Sequence, residues 1–382
     1  MSKKRSTLRD VAQKAGVTTS TVSRILNDKP MAIPITEATR ERVMSAALEL
    51  SYQPNRLARG LADSQTHILG LSFPITSRIE HVSHTEATYL AIGKLVSGIQ
   101  SVAQARGYEL HIFNRIEHRE DPDAIPGPMY TEMLDGLLYV EPNPAYPYFK
   151  QALDSGLPMV VMGADGGEMG AFAVADNNRG EFERIVTALI RKGHRRVAFL
   201  AAAPSEPPLP VLERIVGYRR AHEAAGVAVD KALILDQPML QKPLRASIVD
   251  LLKLRPEVTA LIISRQEVAP EVLALLNDMD VRVPEDMEVI VIGDDRLFDH
   301  ANPPLTAMRI DYFAIAAQAA RLLVDVIEGK EKTPRTVIMP WEYIERDSCR
   351  FGGFLSQLNT ADSNADEVAS DGRQLEIPAN DN

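Results

Sequence analysis

Side chains able to read a nucleic acid gather at residues 19–24. Thr19, Ser20 and Arg24 are spaced so that one helix turns all three outward, while Val22, Ile25 and Leu26 fall on its other side. Hydroxyls pair with several base edges and a guanidinium pairs bidentately with guanine, so such a face suits a DNA major groove. The rest of the chain offers little for catalysis. His194 lies between a helical stretch and an apolar run, where a structural contact is the expected role, and no nucleophile, base and orienter come together. No catalytic residue and no cofactor are expected. His81 and His84 are three apart but have no adjacent cysteine and no third ligand, which argues against a metal. Gly163 to Gly170 is glycine-rich, yet it lacks the Walker lysine and the Rossmann spacing and reads as a loop.

The elements that would position residues 19–24 are written locally. Thr7 can cap a helix carrying Leu8, Val11, Ala12 and Ala15 at helical spacing, with Asp10 completing a capping box and Gly16 ending it. A turn at Gly16-Val17 leads into a second helix from Thr18, giving a helix-turn-helix. A third helix, capped near Thr36, carries Val43, Ala46, Ala47 and Leu50 on one face and closes a small core.

Charge supports this division. The chain of 382 residues has a formal net charge of −10, but residues 1–66 hold 11 Lys and Arg against 6 Asp and Glu, leaving −15 for the remainder. A polyanion would be drawn to the head and repelled by the body. A single cysteine, Cys349, excludes an internal disulfide and fits a reducing compartment. With no long apolar run and no signal-peptide pattern, the cytoplasm is expected and no membrane partner is.

Thr7 to Val17, Ser20 to Asn27 and Thr39-Arg40-Glu41-Arg42-Val43 together resemble the signature of the lactose/galactose repressor family. Residues 51–62 resemble that family's hinge, a segment that becomes helical in the minor groove. The resemblance implies that Thr19, Ser20 and Arg24 read bases, that Leu61 is an apolar wedge kinking a base step, and that Asn55, Arg56 and Arg59 contact DNA beside it. Two departures stand out. Asn27 to Thr39 is about three residues longer than the family spacing, and Gly60 weakens the hinge helix by up to about 1 kcal/mol relative to Ala.

From Ile68 onward short apolar runs alternate with helix-length segments: Ile68 to Phe73, Leu110 to Phe113, Gly136 to Val140, Met159 to Met162, Val197 to Ala201, Ala232 to Leu235, Ala260 to Ile263, Val289 to Ile292 and Val337 to Met339. About nine strands of this kind predict two doubly wound lobes of parallel sheet with ligand beyond the strands' carboxyl ends. The resemblance continues through Val174 to Gly180, Gly193 to Phe199, Arg214 to Arg219, Val283 to Asp286 and Pro303 to Thr306. It implies the fold of periplasmic sugar-binding proteins and makes Arg214 the arginine that grips the effector. The family's carboxylate after the Val289 to Ile292 strand falls on Asp294 or Asp295, a choice left open because the chain is one residue short there. Ser264-Arg265-Gln266 stands where the family has Ala-Asn-Asp. Arg265 either favours an anionic effector or pairs with Glu267 or solvent.

The sequence is thus read as an α/β protein with an all-α helix-turn-helix domain over residues 1–50, a hinge over 51–66, a two-lobed effector-binding and dimerisation domain over 67–350 and a disordered tail over 351–382. The expected function is repression of carbohydrate genes from palindromic double-stranded operator DNA, switched by a carbohydrate effector, neutral or anionic. A homodimer is expected, with tetramerisation open. The alternative is a sugar-binding protein or enzyme with an incidental head.

Overall fold

A computed structural model describes residues 6–26, 35–52, 65–74, 86–115, 133–142, 147–201, 209–235, 243–254 and 257–351. The chain divides at His67/Ile68 into two compact units.

In the first unit, α1 (Leu8–Ala15) starts with the capping box that the sequence predicts. Asp10 N donates to Thr7 Oγ1 at 3.3 Å and Thr7 N donates to Asp10 Oδ2 at 2.7 Å. Gly16, at φ 69°, ends it in the left-handed conformation that a side chain resists. The turn leads to α2 (Thr19–Leu26), where the Thr18 hydroxyl accepts from Thr21 N at 3.2 Å. With α3 (Glu37–Glu49), these helices bury Val11, Ala12, Ala15, Val22, Ile25, Val43, Ala46 and Ala47. Thr36 caps α3 by position, though its hydroxyl bonds to Thr39 Oγ1 and not to the backbone.

The second unit holds two six-stranded sheets. The first contains β1 (Ile68–Pro74), β2 (Glu109–Arg115), β3 (Gly136–Val140), β4 (Met159–Met162), β5 (Phe172–Ala175) and β11 (Thr336–Ile338), in the order β11-β5-β4-β3-β1-β2 with every pair parallel. The second contains β6 (Arg196–Leu200), β7 (Ile234–Leu235), β8 (Val258–Ile263), β9 (Glu288–Ile292), β10 (Thr306–Arg309) and β12 (Glu342–Ile344), in the order β12-β10-β9-β8-β6-β7. Only its β12 edge runs antiparallel. Both sheets bury their two faces: Leu137 and Tyr139 of β3 enter one core while Leu138 and Val140 enter another, and Ala198 and Leu200 of β6 separate likewise from Val197 and Phe199. Strands covered on both sides read as unbroken apolar runs, which is why the sequence revealed them.

Two differences from the sequence reading have physical causes. The described residues hold twelve strands, not about nine, because β5, β10 and β12 are three to four residues long and carry Ala, Thr, Arg or Glu. Ala232 to Leu235 is strand only at Ile234 and Leu235; its first half belongs to a 3-10 turn, Lys231–Leu233, nucleated by Asp230 accepting from Ala232 N at 2.9 Å.

The helices of this unit are α4 (Glu86–Ala105), α5 (Pro147–Asp154), α6 (Asn178–Lys192), α7 (Leu209–Ala224), α8 (Leu244–Leu252), α9 (Ala269–Asp278) and α10 (Tyr312–Ile327). Helices α4 and α10 pack together, as do α6 and α7. The second pair is very close: a Cβ on Gly217 would lie 2.2 Å from Arg179 O, so only glycine fits there. The chain passes between the sheets three times, after β5, after β10 and between β11 and β12.

Candidate functional site

Thr19, Ser20 and Arg24 are all exposed on α2, opposite the buried Val22 and Ile25. Ser20 Oγ lies 2.8 Å from Thr18 Oγ1. Their packing thus leaves the outward face that base reading requires. The hinge residues Asn55, Arg56, Arg59 and Leu61, with Gly60, lie outside the described residues, as do the long turn at 27–34, His81 and His84, and the tail from 352.

In the second unit the segments passing between the sheets converge on one buried cluster. Close packing of α6 on α7 brings Arg214 against the start of α6, where Nε donates to Asn178 Oδ1 at 2.7 Å. Its Nη1 donates at 2.8 Å to Ser264 Oγ, at the carboxyl end of β8. The guanidinium carbon sits 5.4 Å from the ring centroid of Trp341, whose indole N–H donates to Asp176 Oδ2 at 3.0 Å. Asn178 Nδ2 donates to Asp176 Oδ1 at 2.6 Å, closing a circuit of four side chains. The turn from β5 into α6 is fixed by Asn177, a left-handed residue at φ 49° whose side chain accepts from Gly180 N.

Burial is severe, with Arg214 9 % exposed, Asp176 5 % and Trp341 2 %. Burial pushes the Asp176 carboxyl up, against the pull of Arg214 and of the Trp341 and Asn178 hydrogen bonds. Burial likewise pushes up the Tyr312 hydroxyl, at the segment after β10, with Arg214 opposing and Asp176, Glu141 and Glu267 adding to it. Glu213, beside Arg214 in sequence, is pushed up to about 7 by burial. Arg179 and a backbone hydrogen bond from Asp165 oppose that shift, while the charges of Asp176 and Asp165 add to it.

Arg265 pairs with Glu267 through Nε and Nη2, one of the two placements that the sequence left open. Asp294 Oδ2 accepts from Arg309 Nε at 3.0 Å and Nη2 at 2.7 Å, and Oδ1 lies 2.9 Å from Arg346 Nη1. Asp295 caps the turn Arg296–His300, accepting from Leu297 N at 2.8 Å. Asp294 Oδ2 is thus taken up by Arg309 and Asp295 Oδ1 by a backbone N–H, while Asp294 Oδ1 is buried beside Arg346 without a hydrogen bond; the described residues likewise offer Arg214 Nη2 no hydrogen bond.

Sequence reasoning pointed to Arg214 but not to Asp176, Asn178, Ser264 or Trp341 as its partners. Asp176 and Asn178 fall in Val174 to Gly180, which stands out only as a stretch of the family resemblance, and the one usable sign at Trp341 is that it is the sole tryptophan, directly after a proline.

His194 makes the structural contact expected of it, with Nδ1 2.7 Å from Thr259 Oγ1 and Nε2 3.0 Å from Glu288 Oε2. Burial would raise the Glu288 carboxyl, but His194, Lys192 and Cys349 together bring it down to about 2. In the glycine-rich loop the N–H of Gly166 goes to Thr336 Oγ1 and that of Gly167 to Asp165 Oδ1, so these two groups do not cradle a phosphate. Among the described residues no group of three or more His, Cys, Asp and Glu side chains could hold a metal, and no helix is long and apolar enough to cross a membrane.

A family profile described as bacterial regulatory proteins, lacI family, matches residues 7–55, and one described as a periplasmic binding protein-like domain matches residues 186–349. The HTH-type transcriptional regulator CelR of Thermobifida fusca is 30% identical over 351 residues, 91% of this chain and 99% of that one. Catabolite control protein A of Priestia megaterium is 26% identical over 345 residues, 90% and 99% of the two chains. Among solved structures, a CelR–cellobiose complex is similar at TM-score 0.63 and 29% identity, covering 90% of this chain and all of that one. The lac repressor dimer bound to operator and an anti-inducer shares the fold at TM-score 0.71 and 20% identity, covering 90% and 99% of the two chains.

Proposed function

This chain belongs to the lacI family of bacterial regulatory proteins, and we propose on that basis that it represses carbohydrate genes through a small effector held at the junction of its lobes. It is a DNA-binding transcription regulator. In this reading residues 1–50 bind DNA, 51–66 form a hinge, 67–350 bind effector and dimerise, and 351–382 form a tail without a core. Thr19, Ser20 and Arg24 read operator bases, Leu61 wedges a base step, and Asn55, Arg56 and Arg59 hold the backbone beside it. The protein acts in the cytoplasm as a homodimer on a palindromic site, since two-fold symmetry in the protein asks for it in the DNA.

The observation that carries the effector reading is Arg214: a guanidinium, buried where the segments between the sheets converge, is held by neutral groups and retains donors for a ligand. Its fork fits a pair of sugar hydroxyls. A neutral saccharide is the simpler occupant, because Arg265, the extra cation, already has Glu267 as its counterion. That relatives include a regulator solved with cellobiose supports the class. No chemical conversion of the effector is part of this reading, since its relatives are regulators and the site lacks a nucleophile paired with a base.

The test is selection of genomic fragments by the purified full chain, repeated with cellobiose and with anionic sugars. A palindromic site whose recovery changes with a saccharide is the expected result. Salt-sensitive binding with no enriched sequence would reduce the head to an electrostatic anchor.

A further inference from the structure

Asp176 lies on the segment leaving β5 and Trp341 on the one joining β11 to β12, so a single hydrogen bond ties two of the three segments between the sheets. Trp341 also lies against the guanidinium of Arg214, which Ser264 holds to the second sheet. The circuit Arg214, Asn178, Asp176, Trp341 is continuous, each member buried and each contact within bonding range. With 2 % exposure, the indole cannot rotate to follow a moving guanidinium without leaving Asp176. A change at Arg214 therefore bears on two of the segments that pass between the sheets.

We propose that Trp341 is a positioning residue that transmits the occupancy of Arg214 to the segments between the lobes, and so to DNA affinity. The proposal rests on the reading of Arg214 as the effector contact. The ring face senses the guanidinium, while the N–H bond to Asp176 makes two segments move as one. A ligand that draws Arg214 toward its own oxygens weakens the hold on the ring and on Asn178 together, and the Asp176–Trp341 pair shifts with it. Coupling of this kind requires a physical device with two arrangements that both sites bias, and the Asp176–Trp341 pair is the element proposed for it.

The sequence contains one tryptophan, so its emission reports on this position alone. The experiment uses the full chain, the enriched operator fragment, and cellobiose, glucuronate and glucose 6-phosphate as probes. In the wild type, the saccharide that alters operator affinity also shifts the emission of Trp341. The ratio of operator affinities with and without it falls in the usual range of about 5- to 150-fold. Trp341→Phe keeps a ring beneath Arg214 but loses the N–H, so saccharide and operator affinities each stay within about threefold while that ratio falls toward one. A Trp341→Phe protein that keeps the wild-type ratio overturns the proposal and leaves the effector reading standing. An Arg214→Ala protein that still binds the saccharide as the wild type does overturns that reading first. If none of the three probes acts, the operator fragment alone decides. By reciprocity of coupling it must change the wild-type emission, and an emission that stays constant on DNA binding overturns the proposal.

Discussion

Arg214 and Asp294 are both nearly buried charges of the second lobe, and they are neutralised in opposite ways. Arg214 is solvated by an amide, a hydroxyl and an aromatic face, with a carboxylate one residue removed in the circuit. Asp294 is flanked by the counter-charges of Arg309 and Arg346, although its buried Oδ1 faces Arg346 without a hydrogen bond. A charge stabilised by neutral dipoles keeps part of its field and its donors for an incoming group, while one capped by counter-charges has little left to offer. The first arrangement suits a ligand contact and the second suits a staple that holds β10 and the segment after β12 to the end of β9. Sequence alone could not separate them, since each is simply a charged residue matching a family position.

The largest expected effect tests the staple. Asp294→Ala leaves the Arg346 side chain, 9 % exposed, with only the half-exposed Asp299 and a carbonyl, and should cost about 3 kcal/mol of unfolding free energy in urea. A loss below about 1 kcal/mol would put Asp294 back among the ligand candidates. Next, Arg214→Ala should weaken saccharide binding about 100-fold, or about 2.7 kcal/mol, by titration calorimetry, with operator affinity unchanged when no effector is present. Equal loss of both would make Arg214 a structural residue and erase the contrast.

A third test probes the carboxylate beside Arg214. Burial raises Glu213 to about 7 from 4.5, so the folded state holds a proton that the unfolded chain releases between these values. Stability then falls as pH climbs through that window and levels off above it, by an amount on the order of 2 kcal/mol after allowance for partial screening. Glu213→Gln should flatten the slope in urea unfolding measured from pH 5 to 8, and an unchanged slope would sink the assignment. The smallest effect sharpens the ligand class: Arg265→Ala should alter neutral-saccharide affinity by under about 0.5 kcal/mol, because its charge is already satisfied by the partly buried Glu267. A tenfold loss confined to glucuronate would instead favour an anionic effector.

The head was legible almost residue by residue because its determinants are local. The capping box of Thr7 and Asp10 spans three positions, Gly16 needs no distant partner, and the buried stripe of α2 follows from helical spacing. The sheets were legible as runs because both faces are covered, until strands such as β5 and β12 became too short and too mixed to stand out. The cluster at Arg214 was not legible in this way. Asn178 is 36 positions from Arg214, Ser264 is 50 away, and Trp341 is 165 from Asp176. No local pattern encodes such pairings, and only the path of the chain between the sheets brings them together. Family resemblance supplied Arg214 itself but was silent on what holds it.

That path also has a consequence for how the protein is made. In vectorial synthesis the strands β1 to β5 precede the second lobe, yet the outer edge of β5 finds its partner, β11, only after strands β6 to β10 of that lobe have followed. Until then an unpaired strand edge stands open to wrong partners, the situation in which nascent chains aggregate or engage chaperones. The last strands, β11 and β12, seal one sheet each within a few residues. A ribosome stalled shortly before Thr336 would therefore carry two unfinished lobes, neither of them a released and complete domain.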